Sequence, residues 1–305
     1  MKNHFDHKRV WDTKQIMDEL SQLDKLKIVI SSSRPPYVLS KHDYERFRVP
    51  HKGAAYFFMF YENGISTHGV DFQPVTVSEG ELLFILPNQI HNSPPMEDGI
   101  KFFTLSFAQN LLSLFPQQFL FLINPLASPK IEFKHPARQR IVSLFEVLNQ
   151  LLHAPDRENN TEIILAYLGS LMTEFNTAYF SGTKVDGSNR NEISIIIKFK
   201  LQIERDLKMR PSVASIASKL SISESKLYKL VKCYLGASPK EYLIQRLILE
   251  AQRMLYYDGG SVKELSHELG FTDPDYFSRL FKKQTGKTIG QFLLLVQDLS
   301  GKHMD

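Results

Sequence analysis

Two sets of polar side chains, fifty residues apart, hold the groups in this sequence best suited to chemistry. The first is Ser225, Lys226, Tyr228, Lys229 and Lys232; the second is Asp275, Tyr276, Ser278, Arg279, Lys282 and Lys283. Arginine can pair bidentately with guanine, aspartate can accept from the cytosine amino group, and lysine can donate to guanine or to a phosphate. Many members of each set lie three or four residues apart, so each set can share one helical face. That chemistry is recognition of a duplex rather than bond making.

The elements that would position these faces repeat. Ala217, Leu220 and Ile222 recur at an offset of 49 as Ser266, Leu269 and Phe271, and Leu227, Leu230, Val231, Gly236 and Tyr242 recur at 50 as Phe277, Leu280, Phe281, Gly286 and Phe292. Each copy reads as a helix-turn-helix, and the extra residue falls in the turn of the second, where insertions cost least. Small residues at Ala217 and Ser266 let the paired helices cross closely. Ser238-Pro239-Lys240-Glu241 and Ser261-Val262-Lys263-Glu264 are capping boxes, and Asp273-Pro274 is an acidic N-cap followed by proline. These signals predict seven helices near 192–208, 212–220, 223–234, 239–256, 261–269, 274–285 and 289–298. The helix joining the two units, about 18 residues long, would span about 27 Å. Helices held at its ends suit successive major grooves, which lie about 34 Å apart.

The run Gly270-Phe271-Thr272-Asp273-Pro274-Asp275-Tyr276-Phe277-Ser278-Arg279-Leu280-Phe281-Lys282-Lys283, followed by Thr285-Gly286, resembles the signature of the AraC/XylS family of bacterial transcription regulators. The resemblance covers about 190–298. The first unit departs from it at Val231 and Leu235. It implies base contacts from the N-terminal half of each recognition helix: Ser225, Tyr228 and Lys229, then Asp275, Tyr276 and Arg279. Lys226, Lys232, Lys282 and Lys283 are placed for phosphates. It also implies activation through RNA polymerase, with repression left open, and a β-rich domain that senses a small-molecule effector and forms a homodimer.

The N-terminal half reads as β, with strands near 27–31, 55–61, 73–77, 81–86, 101–107 and 130–133 separated by Pro, Gly and Asn turns. Two helical stripes follow. One carries Ile141, Leu144, Phe145, Leu148, Leu151 and Leu152; after a break at 154–160 the other carries Ile164, Tyr167, Leu168, Leu171, Met172, Phe175 and Tyr179. They form a hairpin that either covers the β core or pairs with a second subunit. The segment 80–92, ending in Pro87-Asn88-Gln89-Ile90-His91, resembles a cupin strand-turn. The fold class expected is α+β: a cupin-like β-barrel with a helical hairpin, then an all-α domain. The domains expected are 1–180 for sensing and dimerisation, 181–191 as a polar linker, and 192–305 for DNA.

Charge is uneven. Residues 191–305 hold 18 Lys/Arg against 13 Asp/Glu, and residues 1–190 hold 19 against 20, so the basic excess sits in the repeat region. No apolar run approaches the roughly 18 residues of a membrane span. The N-terminal residues lack the apolar core of a secretory signal, and a cytosolic location is expected. The single cysteine, Cys233, excludes an internal disulfide and fits a reducing compartment.

Candidate effector-lining groups are Tyr56, Phe58, Phe60, Phe84, Phe103 and His91; core packing is the competing reading for the rings. His51, His68 and His91 stand apart in sequence with no His-x-His, so neither a metal nor another cofactor is expected. A metal-dependent cupin enzyme carrying a DNA-targeting module is the alternative function. A DNA-repair methyl transferase would need activated cysteines that one thiol does not supply.

Overall fold

Runs rich in aromatic and branched residues build the strands of the first half. A computed structural model describes residues 28–33, 44, 47–95, 97–123, 128–154, 161–181, 190–257 and 261–299. The N-terminal segment, most of the 154–160 break and most of the 181–191 linker lie outside the described residues. Two compact units are present, Met1–Thr183 and Lys184–Asp305.

In the first unit the strands are β1 (Ile28–Ser32), β2 (His51–Lys52), β3 (Ala55–Asn63), β4 (Ile65–Val70), β5 (Gln73–Ser78), β6 (Glu81–Ile85), β7 (Ile90–Asn92), β8 (Lys101–Ala108) and β9 (Lys130–Glu132). They pair into a five-stranded sheet, β1-β8-β3-β6-β9, and a four-stranded sheet, β2-β7-β4-β5. The expected barrel is thus corrected to two separate sheets. A barrel closes only when its outermost strands pair. Here β1 and β9 end the larger sheet and pack against the two helices that follow, α1 (His135–His153) and α2 (Thr161–Ser181).

The period-two pattern sends successive residues of the larger sheet into two different cores. Phe58, Phe60, Leu82, Phe84, Phe103, Leu105 and Phe107 face Ile141, Phe145, Leu148 and Leu152 of α1 and Ile164, Leu168, Leu171, Met172 and Phe175 of α2. The alternate residues Met59, Tyr61, Leu83, Ile85 and Phe102 pack with Val70 and Val77 of the other sheet. The helical hairpin therefore covers the β core. Rings interlock across that layer, with Phe103 and Phe145 centroids 5.1 Å apart and Phe58 and Phe175 5.6 Å apart. Each fully buried phenylalanine contributes roughly 1.5–3 kcal/mol.

The turn between β6 and β7 is built by side chains standing in for backbone. The Leu86 amide donates to Gln89 Oε1 at 2.7 Å, and the Gln89 amide nitrogen donates to Asp71 Oδ2 at 2.7 Å. Asn88 takes a positive φ of 65°, a conformation asparagine tolerates. The turn delivers His91 into the smaller sheet, opposite its ladder partner His51. The two imidazole centroids are 4.1 Å apart. His68 lies buried with its Nε2 2.6 Å from the Tyr61 hydroxyl. Histidines separate in sequence are thus gathered in one apolar region, which strand register decides and residue spacing does not. Among the described residues, no three His, Cys, Asp or Glu side chains are arranged to hold a metal ion.

Burial holds all three imidazoles below their ordinary pKa, His68 at about 4, and the neighbouring rings lower His91 further. The unfolded chain would take up these protons near pH 6.5, whereas folded His68 resists them until about 4. Stability is therefore complete above the unfolded value and declines as pH falls between the two. Going from about pH 7 to about pH 5 should cost on the order of 2 kcal/mol for His68 alone. Urea unfolding of the first unit at the two pH values checks this, and His68→Gln should flatten the dependence.

Candidate nucleic-acid interface

The second unit holds α3 (Arg190–Asp206), α4 (Val213–Lys219), α5 (Glu224–Leu235), α6 (Pro239–Tyr257), α7 (Val262–Glu268), α8 (Pro274–Thr285) and α9 (Ile289–Leu299). Three of the helix starts carry the predicted caps. The Ser238 amide donates to Glu241 Oε2 at 2.7 Å and the Glu241 amide to Ser238 Oγ at 3.2 Å, and Ser261 and Glu264 do the same at 3.0 and 3.2 Å. Asp273 Oδ1 accepts from the amides of Asp275 and Tyr276 at 2.9 and 3.1 Å.

The two helix-turn-helix units, α4–α5 and α7–α8, share one turn geometry. The Ile222 amide donates to the Ala217 carbonyl at 3.1 Å, and the Phe271 amide donates to the Ser266 carbonyl at 2.8 Å. The residue before each donor is left-handed: Ser221 at φ 55° and Gly270 at φ 77°. In the first copy the N-cap Ser223 follows Ile222 directly; in the second, Thr272 stands between Phe271 and Asp273. Thr272 is therefore the inserted residue. Both second helices end on a left-handed glycine, Gly236 and Gly286, whose amides donate back to Lys232 and Lys282.

This geometry fixes what is inside and outside. Leu227, Leu230 and Val231 are buried on α5, as are Phe277, Leu280 and Phe281 on α8. Ser225, Lys226, Tyr228, Lys229 and Lys232 are exposed on α5, and Asp275, Tyr276, Arg279, Lys282 and Lys283 on α8. Ser278 departs from the expected outer face: it is half-buried and its hydroxyl donates to the Pro274 carbonyl at 2.9 Å. Two of the exposed groups have local neighbours. Arg279 lies 3.8 Å from Asp273 Oδ2, a loose and solvated ion pair. The Tyr276 ring sits 6.2 Å from Phe271 while staying 42% exposed. Cys233 is exposed on α5.

The strut α6 has 19 residues, a length of about 28 Å. It packs against α5 of the first helix-turn-helix and α7 and α8 of the second. Arg246 is buried within this packing, with Nε 2.8 Å from Glu204 and an Nη 3.0 Å from Glu250. Sequence reasoning missed this group. The Arg246–Glu250 spacing of four was visible as a helical pair, but Glu204 comes from another helix. Also missed was the segment 206–210, which touches both helix-turn-helix motifs.

The effector candidates lie in the first unit. Phe58, Phe60, Phe84 and Phe103 are buried rings under the helical hairpin, and Tyr56 is partly buried beside Phe107. His91 belongs to the smaller sheet and is not with them.

Residues 216–294 match a family model described as a helix-turn-helix domain. The chain is 25% identical over 228 residues to the HTH-type transcriptional activator RhaS of Enterobacter sp. (strain 638), covering 73% of this chain and 79% of that one. It is 28% identical over 146 residues to the lactose operon transcription activator of Staphylococcus xylosus, covering 47% and 51%. Among solved structures, fatty-acid-bound ToxT from Vibrio cholerae aligns over 92% of this chain and 99% of that chain, at 13% identity and a TM-score of 0.42.

The paired turns allow a contrast in stability. Gly270 is left-handed, and a Cβ there would run into the Lys208 carbonyl oxygen. Gly270→Ala should destabilise the chain by at least about 1–2 kcal/mol. Ser221 has the same backbone sign without glycine's freedom, so Ser221→Gly should be neutral or stabilising by up to about 1 kcal/mol. Denaturant midpoints of the two variants measure both.

Proposed function

We propose that the chain is an AraC/XylS-type transcription regulator that binds double-stranded DNA through both recognition helices, in successive major grooves, as its helix-turn-helix match over residues 216–294 supports. One observation carries this reading. Two exposed polar helix faces of matching geometry stand on units that pack against one 19-residue strut. In this reading Ser225, Tyr228, Lys229, Asp275, Tyr276 and Arg279 contact base edges, and Lys226, Lys232, Lys282 and Lys283 neutralise phosphates. All ten side chains are exposed.

We further infer that residues 192–305 form the DNA-binding domain, that 1–180 senses a small-molecule effector and joins two chains, and that 181–191 links them. Relatives named as activators support activation, and in this reading RNA polymerase is the partner. A regulator reading genomic DNA would work in the cytoplasm, and no described helix is long and apolar enough to cross a membrane. No observation favours the alternative of a metal-dependent cupin enzyme.

Selection of fragments from the source genome with the purified chain should enrich a few discrete sites. On such a site Arg279→Ala should cost about 1–3 kcal/mol and relax one base position, while Lys282→Ala should weaken all sequences alike and lower the salt slope by about 1. Titrations at several salt concentrations separate the two. If both variants hold the site as the parent does, the groove assignment fails.

A further inference from the structure

The segment 206–210, from the last residue of α3 into the loop before α4, contacts both helix-turn-helix motifs through three of its residues. Asp206 is buried, and its Oδ2 lies 2.5 Å from Lys219 Nζ on α4 of the first unit. The Gln202 side chain also donates to that carboxylate. The Lys219 ammonium holds the Asp206 carboxyl below the usual carboxylate range. Two residues on, Lys208 Nζ is 2.6 Å from Glu268 Oε1 on α7 of the second unit. The Lys208 carbonyl oxygen presses on the Gly270 backbone where a Cβ would stand. Arg210 then donates to the Gly270 carbonyl at 3.2 Å and lies 3.9 Å over the ring of buried Phe271.

Arg210 also sits at φ 49° without being glycine. Such a conformation persists only where surrounding contacts over-determine it. The Arg210 amide donates to the Leu207 carbonyl at 3.1 Å, and the guanidinium's two contacts with the second turn hold the side chain beside it. The Lys208–Glu268 pair is half solvated and would count for little alone. It acts beside a buried carboxylate, a cation over a ring and a close backbone contact, all within one short segment.

A rod such as α6 fixes how far apart two attached bodies lie along its length. It leaves each body to swing about the rod axis unless a second tie lies off that axis. The segment 206–210 is such a tie, contacting α4 on one side and the α7–α8 turn on the other. We propose that 206–210 is a positioning clip that sets the rotation of one recognition helix relative to the other, and through it the spacing of base pairs the chain accepts. The inference rests on both helices reading one duplex. Asp206, Lys208 and Arg210 are positioning residues and do not touch DNA in it.

The test uses the full chain with spin labels on native Cys233 of α5 and on Gln284→Cys of α8, both exposed. Pulsed dipolar spectroscopy should give one narrow distance distribution for the parent. Combining Lys208→Ala with Arg210→Ala should make it at least about twice as wide, a hinge-type motion, while circular dichroism still shows a cooperatively folded helical unit. The exposed single change Lys208→Glu should broaden it less, and adding Glu268→Lys should narrow it again. An unchanged width in the folded double variant, or no rescue by the charge exchange, overturns the clip. Should the double variant not fold, Lys208→Glu and its rescue decide alone.

A second readout uses unlabelled protein on the selected DNA site with one base pair inserted between its two elements. The parent should lose about tenfold in affinity, as for a mismatched pair, and the clip variant less than about threefold. Equal losses overturn the proposal. If no specific site exists, the two-groove reading fails, and the spin-label distances still decide whether the clip holds the helices.

Discussion

The burial of α6 is the constraint on which the second unit depends. Its side chains must satisfy neighbours from both halves of the repeat at once, because it packs against α5 as well as α7, α8 and α9. Leu243, Leu247, Ile248, Ala251 and Leu255 supply the apolar part. Arg246 supplies something apolar residues cannot, a charge held inside by Glu204 of α3 and Glu250 of α6 itself. Such a pair adds little net stability when compared with a hydrophobic replacement, but removing one partner leaves a buried charge uncompensated. Its use is registry: α3 and α6 fit together with Glu204 beside Arg246 or pay the desolvation of both.

The first unit solves a different problem by layering. The larger sheet is apolar on both faces, so it needs a cover on each. The hairpin of α1 and α2 covers one with interlocked rings, and the smaller sheet covers the other. The buried polar groups of this layer include two matched pairs, Tyr61 with His68 and Asp71 with Gln89. Buried histidines kept neutral in this way belong to the packing.

Legibility in the sequence followed the range of the interaction. Caps at Ser238, Ser261 and Asp273 are satisfied within three residues, and the helices begin where those residues said. The buried stripes Ile141 to Leu152 and Ile164 to Phe175 follow from a period of 3.6. Strand β4, Ile65–Val70, was missed because His68 and Gly69 break its apolar alternation, and β2 and β7 are too short to show a period. Barrel against two sheets depends on pairing between distant edges, which no local pattern carries. The ring positions Phe58 and Phe84 were legible as inward, but the layer they face was not. At the interface the exposed faces of α5 and α8 were readable from spacing, apart from Ser278. The ties of 206–210 join residues 13 to 60 apart in sequence and left no local signature.

The two units share a turn and a closing glycine but differ in what they display. One presents Ser225, Tyr228 and Lys229; the other presents Asp275, Tyr276 and Arg279, set one residue further on by Thr272. A body carrying two unlike faces on one strut has a front and a back. Laid along a duplex in the proposed manner, it points one way, and turning its target end for end presents each face with the wrong base edges. Each chain is then an arrow on the chromosome, and the strand orientation of its target relative to a neighbouring gene is part of the message.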